Sequence, residues 1–115
     1  MKQEIGKALL MVFMEPGEEI EDRLNEWYNK YHVPERLSVP GFLSARRFKL
    51  CEGEDGPKYL AIFELEDEAV LSGEAYLKLR ETSRPMNFDR PKLQRLVYHQ
   101  VFPETGAFED KSGPQ

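Results

Sequence analysis

Hydrophobic residues along this chain alternate, change to helical spacing, and alternate again, and each change marks an element. From Lys7 to Met14, Ala8, Leu10, Val12 and Met14 fall on one face, and Leu9, Met11 and Phe13 on the other. Both faces are apolar, which predicts a strand covered on both sides. Pro16-Gly17 ends it, and Glu18, Glu19, Glu21 and Asp22 then crowd a helix start, where the macrodipole favours negative charge. Ile20, Leu24, Trp27 and Tyr31 form one amphipathic stripe. Pro34 limits that helix to about His32, because the residue before a proline is pushed out of helical geometry. Glu35 to Ser38 adds at most a turn, and Val39-Pro40-Gly41 is a connector.

Phe42 to Cys51 reads as a second strand, with Phe42, Ser44, Arg46, Phe48 and Leu50 opposite Leu43, Ala45, Arg47 and Lys49. A polar loop with two glycines leads to a third strand, Tyr59 to Glu66. Asp67 is a natural N-cap for a second helix carrying Val70, Leu71, Ala75, Leu77 and Leu79. Gly73 weakens that helix by up to about 1 kcal/mol relative to alanine, and Ser83-Arg84-Pro85 ends it. Leu93 to Phe102 is the last strand, with Leu96, Tyr98 and Phe102 opposite Leu93, Val97, His99 and Val101.

The order β-α-β-β-α-β predicts an α+β, ferredoxin-like domain: a four-stranded antiparallel sheet with two helices on one face. Two helices cover only one side, yet the first and last strands are apolar on both. The second face therefore calls for a partner, and a second copy of the chain supplies one most simply. The expected unit is a homodimer joined through its sheet faces. Residues 1–104 form the single domain of this reading, and 105–115 a flexible tail.

Composition narrows the function. Sixteen basic against twenty-one acidic residues give a net charge of −5, which argues against a nucleic-acid binder with its basic stripe. The apolar run near the N-terminus is too short to span a bilayer, so no membrane partner is expected. One cysteine allows no internal disulfide and no zinc set, and fits a reducing, cytoplasmic setting. Cys51, beside an exposed hairpin, reads as incidental. Glycine-rich phosphate loops, H-E-x-x-H and G-x-S-x-G are absent. Two distant histidines make a poor metal set, and no cofactor is expected; a haem ligand would most simply be one of them.

The densest chemistry lies in Trp27-Tyr28-Asn29-Lys30-Tyr31-His32-Val33-Pro34-Glu35. A histidine at a helix C-terminus is favoured as imidazolium, and one buried among aromatics as neutral imidazole. The sequence leaves both open. Tyr31 reads as core; Trp27 reads as core that doubles as a pocket wall. Arg46 and Arg47 point to opposite faces, so one faces the helices, with Glu64 as its ion-pair partner or a substrate carboxylate in Glu64's place. His99 reads as a satisfied buried or dimer-face histidine.

The run Trp27-Tyr28-x3-His32-x-Pro34-Glu35, then Val39-Pro40-Gly41-Phe42, Arg46-Arg47-Phe48 and Tyr59-Leu60-Ala61-x-Phe63-Glu64-Leu65, resembles the dimeric α+β barrel superfamily, and most of all its EthD-like branch of small bacterial proteins. The resemblance implies two subunits whose sheets form a barrel, with a pocket in each between sheet and helices. It matches His32 to the histidine of the branch motif. Relatives include cofactor-independent monooxygenases, isomerases, polyketide cyclases and haem-degrading enzymes. The expected function is therefore that of a small cofactor-independent enzyme acting on a hydrophobic, aromatic or polyketide-like molecule. His32 would transfer a proton, Tyr28 or Tyr98 would orient the substrate oxygen, and Trp27, Leu24, Phe42, Phe63 and Leu96, with Arg46 for an anionic group, would line the site. The alternative is a non-catalytic ligand-binding or accessory protein using the same pocket.

Overall fold

The computed structural model describes residues 6–109. Strand β1 (Ala8–Glu15) leads through Pro16-Gly17 into helix α1 (Glu18–Trp27). A π-helical turn over Tyr28–His32 follows, and helix α2 (Val33–Leu37) continues from it. Strands β2 (Phe42–Lys49) and β3 (Tyr59–Leu65) form a hairpin. A 3-10 turn (Glu68–Ser72) and helix α3 (Glu74–Thr82) lead to β4 (Lys92–His99). The strands pair antiparallel in the order β2-β3-β1-β4. This is the α+β architecture that the hydrophobic pattern predicts, with each predicted strand displaced by a few residues at its ends.

One sheet face is closed by the helices. Ala8, Leu10, Val12 and Met14 of β1 and Tyr59, Ala61, Phe63 and Leu65 of β3 are buried beneath Ile20, Leu24 and Tyr28. The opposite face carries Leu9, Met11, Phe13, Leu60, Ile62 and Leu96, all half-buried. Phe13, Phe48, Leu50, Leu60 and Ile62 line a shallow groove there of about 410 Å³.

Four local readings change. The helix does not stop before Pro34. The π-helical turn bonds Val33 N–H to Tyr28 O, five residues back, and α2 begins there with the proline in its first turn, where a missing N–H breaks no bond. The buried stripe runs Ile20, Leu24, Tyr28 instead of ending on Tyr31. Tyr31 is half-exposed, with the Arg84 guanidinium 3.9 Å over its ring. The second helix is split at Gly73, whose extended backbone (φ −75°, ψ 156°) separates the 3-10 turn from α3. Asp67 does cap the turn, accepting from Ala69 N–H at 2.9 Å, while Tyr76 takes the core position and Leu77 is exposed.

The fourth change lies in β2. A bulge between Phe42 and Ser44 adds a residue, so Phe42 shares the helix-facing side with Ala45, Arg47 and Lys49. Just before it, Gly41 turns the chain at φ +97°, and a Cβ there would lie 2.5 Å from Val70 Cγ2. Residues 105–109 of the expected tail are described, and Gln100 Nε2 donates to the carbonyls of Pro103 and Gly106. Residues 110–115 lie outside the described residues.

Candidate functional site: an arginine-lined cleft beside His32

The helices seal the sheet over β3 and β1 but leave the same face of β4 open. A cleft of about 560 Å³ lies there, within the size range of small-molecule sites. Its floor is Leu10, Val12 and Phe63 from the central strands and Leu93 and Arg95 from β4. One wall is Trp27, Tyr28, His32 and Arg36 from the continuous α1–α2 segment. The other is Tyr76, Arg80 and Glu81 of α3, followed by Ser83 to Met86 and Arg90. A more open hollow of about 710 Å³ on the far side of Trp27 shares Arg84 and Pro85 with the cleft.

His32 ends the π-helical turn, a distortion found frequently at functional sites because it re-aims side chains within a helix. Its ring stacks on Trp27 (4.7 Å between centroids, 29° between planes) and lies 4.5 Å from the Tyr28 ring, with Phe63 edge-on at 6.3 Å. Nδ1 is buried with no hydrogen-bond partner among the described residues. Burial, with Arg36 and Arg47 adding repulsion, lowers the imidazole pKa to about 3. His32 is therefore neutral at pH 7, so of the two environments open to it in the sequence the aromatic one prevails. Tyr28 is 3% exposed, and burial raises its hydroxyl to about 12 against the pull of Arg47 and Arg36. It too is neutral.

Arg47 is the arginine that faces the helices. Its guanidinium lies over the rings of Tyr28 (4.8 Å) and Tyr59 (5.3 Å), and Nη1 donates to Asn29 Oδ1 at 3.0 Å. Glu64 is on the other sheet face, where it accepts from Gly6 N–H at 2.6 Å and Ser44 Oγ at 3.3 Å. The ion pair expected between Glu64 and the helix-facing arginine does not form, because the sheet separates Arg47 from Glu64. Arg46 also lies on that far face, 4.8 Å over Phe48.

The structure thus brings Trp27, Tyr28, His32 and Phe63 together around the cleft. It does not bring the rest of the predicted set there. Leu24 and Phe42 are buried core residues, Phe42 being stacked on Tyr76 at 5.6 Å. Leu96 and Tyr98 pair with Met11 and Leu9 on the outer face, so neither they nor Arg46 reach the cleft, an outcome of strand alternation and the β2 bulge. His99 is bound to Glu68 at 3.0 Å and is largely exposed. Cys51 is exposed.

What sequence reasoning missed is the positive lining. Arg36, Arg80, Arg84, Arg90 and Arg95 face the cleft, with Glu81 as its single carboxylate. The signal was weak, because these arginines come from four segments and share no motif. Among the described residues no group of three or more His, Cys, Asp or Glu is placed to hold a metal ion, and no helix is long and apolar enough to cross a membrane.

The fold defines the class: a ferredoxin-like α+β domain. The chain belongs to the family described as a domain of unknown function, DUF4286, whose model matches residues 7–101. Comparison with curated proteins gives no match. Among solved structures the chain is similar to an ethyl tert-butyl ether D (EthD) family protein from Bacillus halodurans (12% identity, TM-score 0.57, covering 83% of this chain and 99% of that one). It is similar to the haem-degrader MhuD from Mycobacterium tuberculosis, solved with two haems in its active site (14%, TM-score 0.62, 86% and 99%). It is also similar to a monooxygenase from Streptomyces coelicolor in complex with nanaomycin D (22%, TM-score 0.51, 92% and 93%). At these identities the likeness shows the fold, and the resemblance to EthD-like barrels holds at that level.

Proposed function

We propose that the cleft is a small-molecule site in which His32 handles a proton of a hydrophobic, aromatic or polyketide-like substrate. The observation that carries this reading is the placement of His32: a neutral imidazole on a cleft wall, on a π-helical turn, between Trp27 and Tyr28. Proton removal next to a carbonyl or from a phenol begins isomerisation, cyclisation and oxygen insertion alike. The Tyr28 hydroxyl, neutral at every physiological pH, is a donor for the substrate oxygen. The Mycobacterium and Streptomyces structures support the reading by showing this fold around haems and nanaomycin D.

Haem here would take His32 or His99 as its iron ligand. His99 is held by Glu68, and the proposal routes no step through haem.

The test is deuterium exchange at the acidic CH2 of anthrone, followed by NMR without oxygen. The wild-type protein is expected to speed exchange, and His32→Phe to lose at least about a hundred-fold of that rate. Equal rates would end the proton-transfer role. The second reading, a carrier without catalysis, is favoured by one observation. With a pKa of about 3, His32 is a weak base while the cleft holds only its own arginines. In that case anthrone binds but does not exchange.

The same proposal includes a homodimer through the outer sheet faces. The half-buried row of Leu9, Met11, Phe13, Leu60, Ile62 and Leu96 supports it. Ile62→Asp is expected to halve the mass measured by sedimentation equilibrium; a wild-type monomer would refute the pairing. The single exposed cysteine goes with a reducing, cytoplasmic location.

A further inference from the structure

We infer that the cleft selects an organic carboxylate, whose anionic end is held by Arg36, Arg80 and Arg95 around Tyr76 while its apolar body lies against Trp27 and Phe63. This rests on the cleft being a small-molecule site and goes beyond it by fixing the charge of the ligand. The chain as a whole is acidic, with a net charge of −5, yet five of its eight arginines line this one cleft.

Three of them converge on one residue. Arg36 and Arg80 lie 5.8 and 5.9 Å over the Tyr76 ring, and Arg95 Nη2 donates to Tyr76 Oη at 3.3 Å. Neither Lys58–Glu21 nor His99–Glu68, the ion pairs formed at 4 Å or less among the described residues, involves these guanidiniums, and Glu35 acts on Arg36 only from beyond that range. Arg36 is the most telling. It is only 9% exposed, lines the cleft, and has Nη1 buried without a hydrogen-bond partner. A buried cation is costly unless an anion pairs with it. The planar guanidinium fork matches the two oxygens of a carboxylate. Stacking on Tyr76 alone would account for one arginine, but not for the convergence of three like charges, which repel.

Arg36 stands one helical turn beyond His32, so a carboxylate held there reaches the histidine's surroundings. The charged and titratable groups that bear on His32 are Arg36 from α2 and Arg47 from β2, with Tyr28 from the π-helical turn beside the ring. Burial, the larger cause of the lowered His32 pKa, stays in place, and a bound carboxylate opposes the smaller one, the repulsion from both guanidiniums.

The probes are 4-tert-butylbenzoate and its neutral amide, followed by fluorescence of Trp27, the chain's single tryptophan and a wall of the cleft. The acid is expected to bind at least about ten-fold tighter than the amide, and added salt to erode that preference. Arg36→Met is expected to abolish the preference, read as the ratio of acid to amide affinity in the same variant. The exposed Arg80→Ala, which puts no buried packing at risk, is expected to reduce it several-fold. Equal binding of acid and amide to the wild-type protein would overturn the inference and leave the small-molecule reading standing. Binding of neither probe would remove both. A preference for 4-tert-butylphenyl phosphate over the benzoate by about ten-fold would overturn the carboxylate assignment.

Discussion

Two neighbouring halves of one sheet face behave differently. On β3, the helix-facing residues Tyr59, Ala61, Phe63 and Leu65 are all buried. On β4, the residues on the same side, Leu93, Arg95, Val97 and His99, are all exposed. Both rows belong to one antiparallel sheet, separated only by β1. The difference comes from the helical layer. The α1–α2 segment lies over the β2–β3–β1 side, whereas α3 is only nine residues long because Gly73 breaks its first turns. The helices are too short to roof four strands, and the uncovered margin becomes the cleft. The candidate site here follows from where burial stops.

The largest expected contrast is in stability. Phe63, 1% exposed, packs edge-on against Phe42 and His32. Phe63→Ala should cost about 3–5 kcal/mol in denaturant unfolding. Val97, 42% exposed on the open half, should cost under about 1 kcal/mol as Val97→Ala. Equal losses would mean that the open half is covered in solution, and the cleft would lose its standing as a site.

The second prediction concerns pH at the boundary between the halves. His32 has an ordinary pKa of 6.5 and a folded value of about 3. The unfolded chain therefore takes up a proton there first, and stability rises with pH. The contribution is complete above pH 6.5 and is lost as pH falls from 6.5 towards 3. Between pH 6.5 and about 5, above the usual carboxylate range, the unfolding free energy should fall by up to about 1.4 kcal/mol per pH unit. His32→Phe should flatten that slope. A slope unchanged in the variant would place the histidine in water.

Much of this was legible in the sequence, and the reasons are specific. Alternation in β1 and β3 is unbroken, so their two faces were readable residue by residue. The sequence also singled out Trp27 to His32, three of whose residues line the cleft. Leu96 and Tyr98 were assigned to the site although unbroken alternation puts them on the outer face; two other errors of direction each come from a single residue that breaks a period. The bulge at the start of β2 moved Phe42 to the helix side and left Arg46 on the far face. The π-helical turn put Tyr28 in the core in place of Tyr31. Neither insertion has a local sequence code as plain as a proline or a glycine. The cleft arginines were invisible for a different reason, since their meeting is a product of tertiary folding.

The third prediction tests whether the open half costs stability. Arg36→Met replaces a buried guanidinium, its pKa pulled below the usual value by burial and its Nη1 without a hydrogen-bond partner, with a shorter, unbranched apolar side chain. It should leave stability unchanged or raise it by about 1–4 kcal/mol, the sign expected of a residue kept for binding. A loss as large as that expected for Phe63→Ala would assign Arg36 to the core.

The smallest expected effect lies where the halves meet. Tyr76 belongs to both: its ring stacks on Phe42 in the sealed core, and its hydroxyl accepts from Arg95 at the cleft. Tyr76→Phe keeps the ring and removes one long hydrogen bond to a half-open site, so unfolding should change by about 0.5–1 kcal/mol or less. What it removes is the tether on Arg95. If the sealed half supports the geometry of the open one, carboxylate binding weakens in this variant by a factor that Arg95→Gln does not increase further, which a double-mutant cycle reads directly. Fully additive losses would show the two residues acting independently, and the open half would then owe its arrangement to β4 and the loop before it instead of to the core.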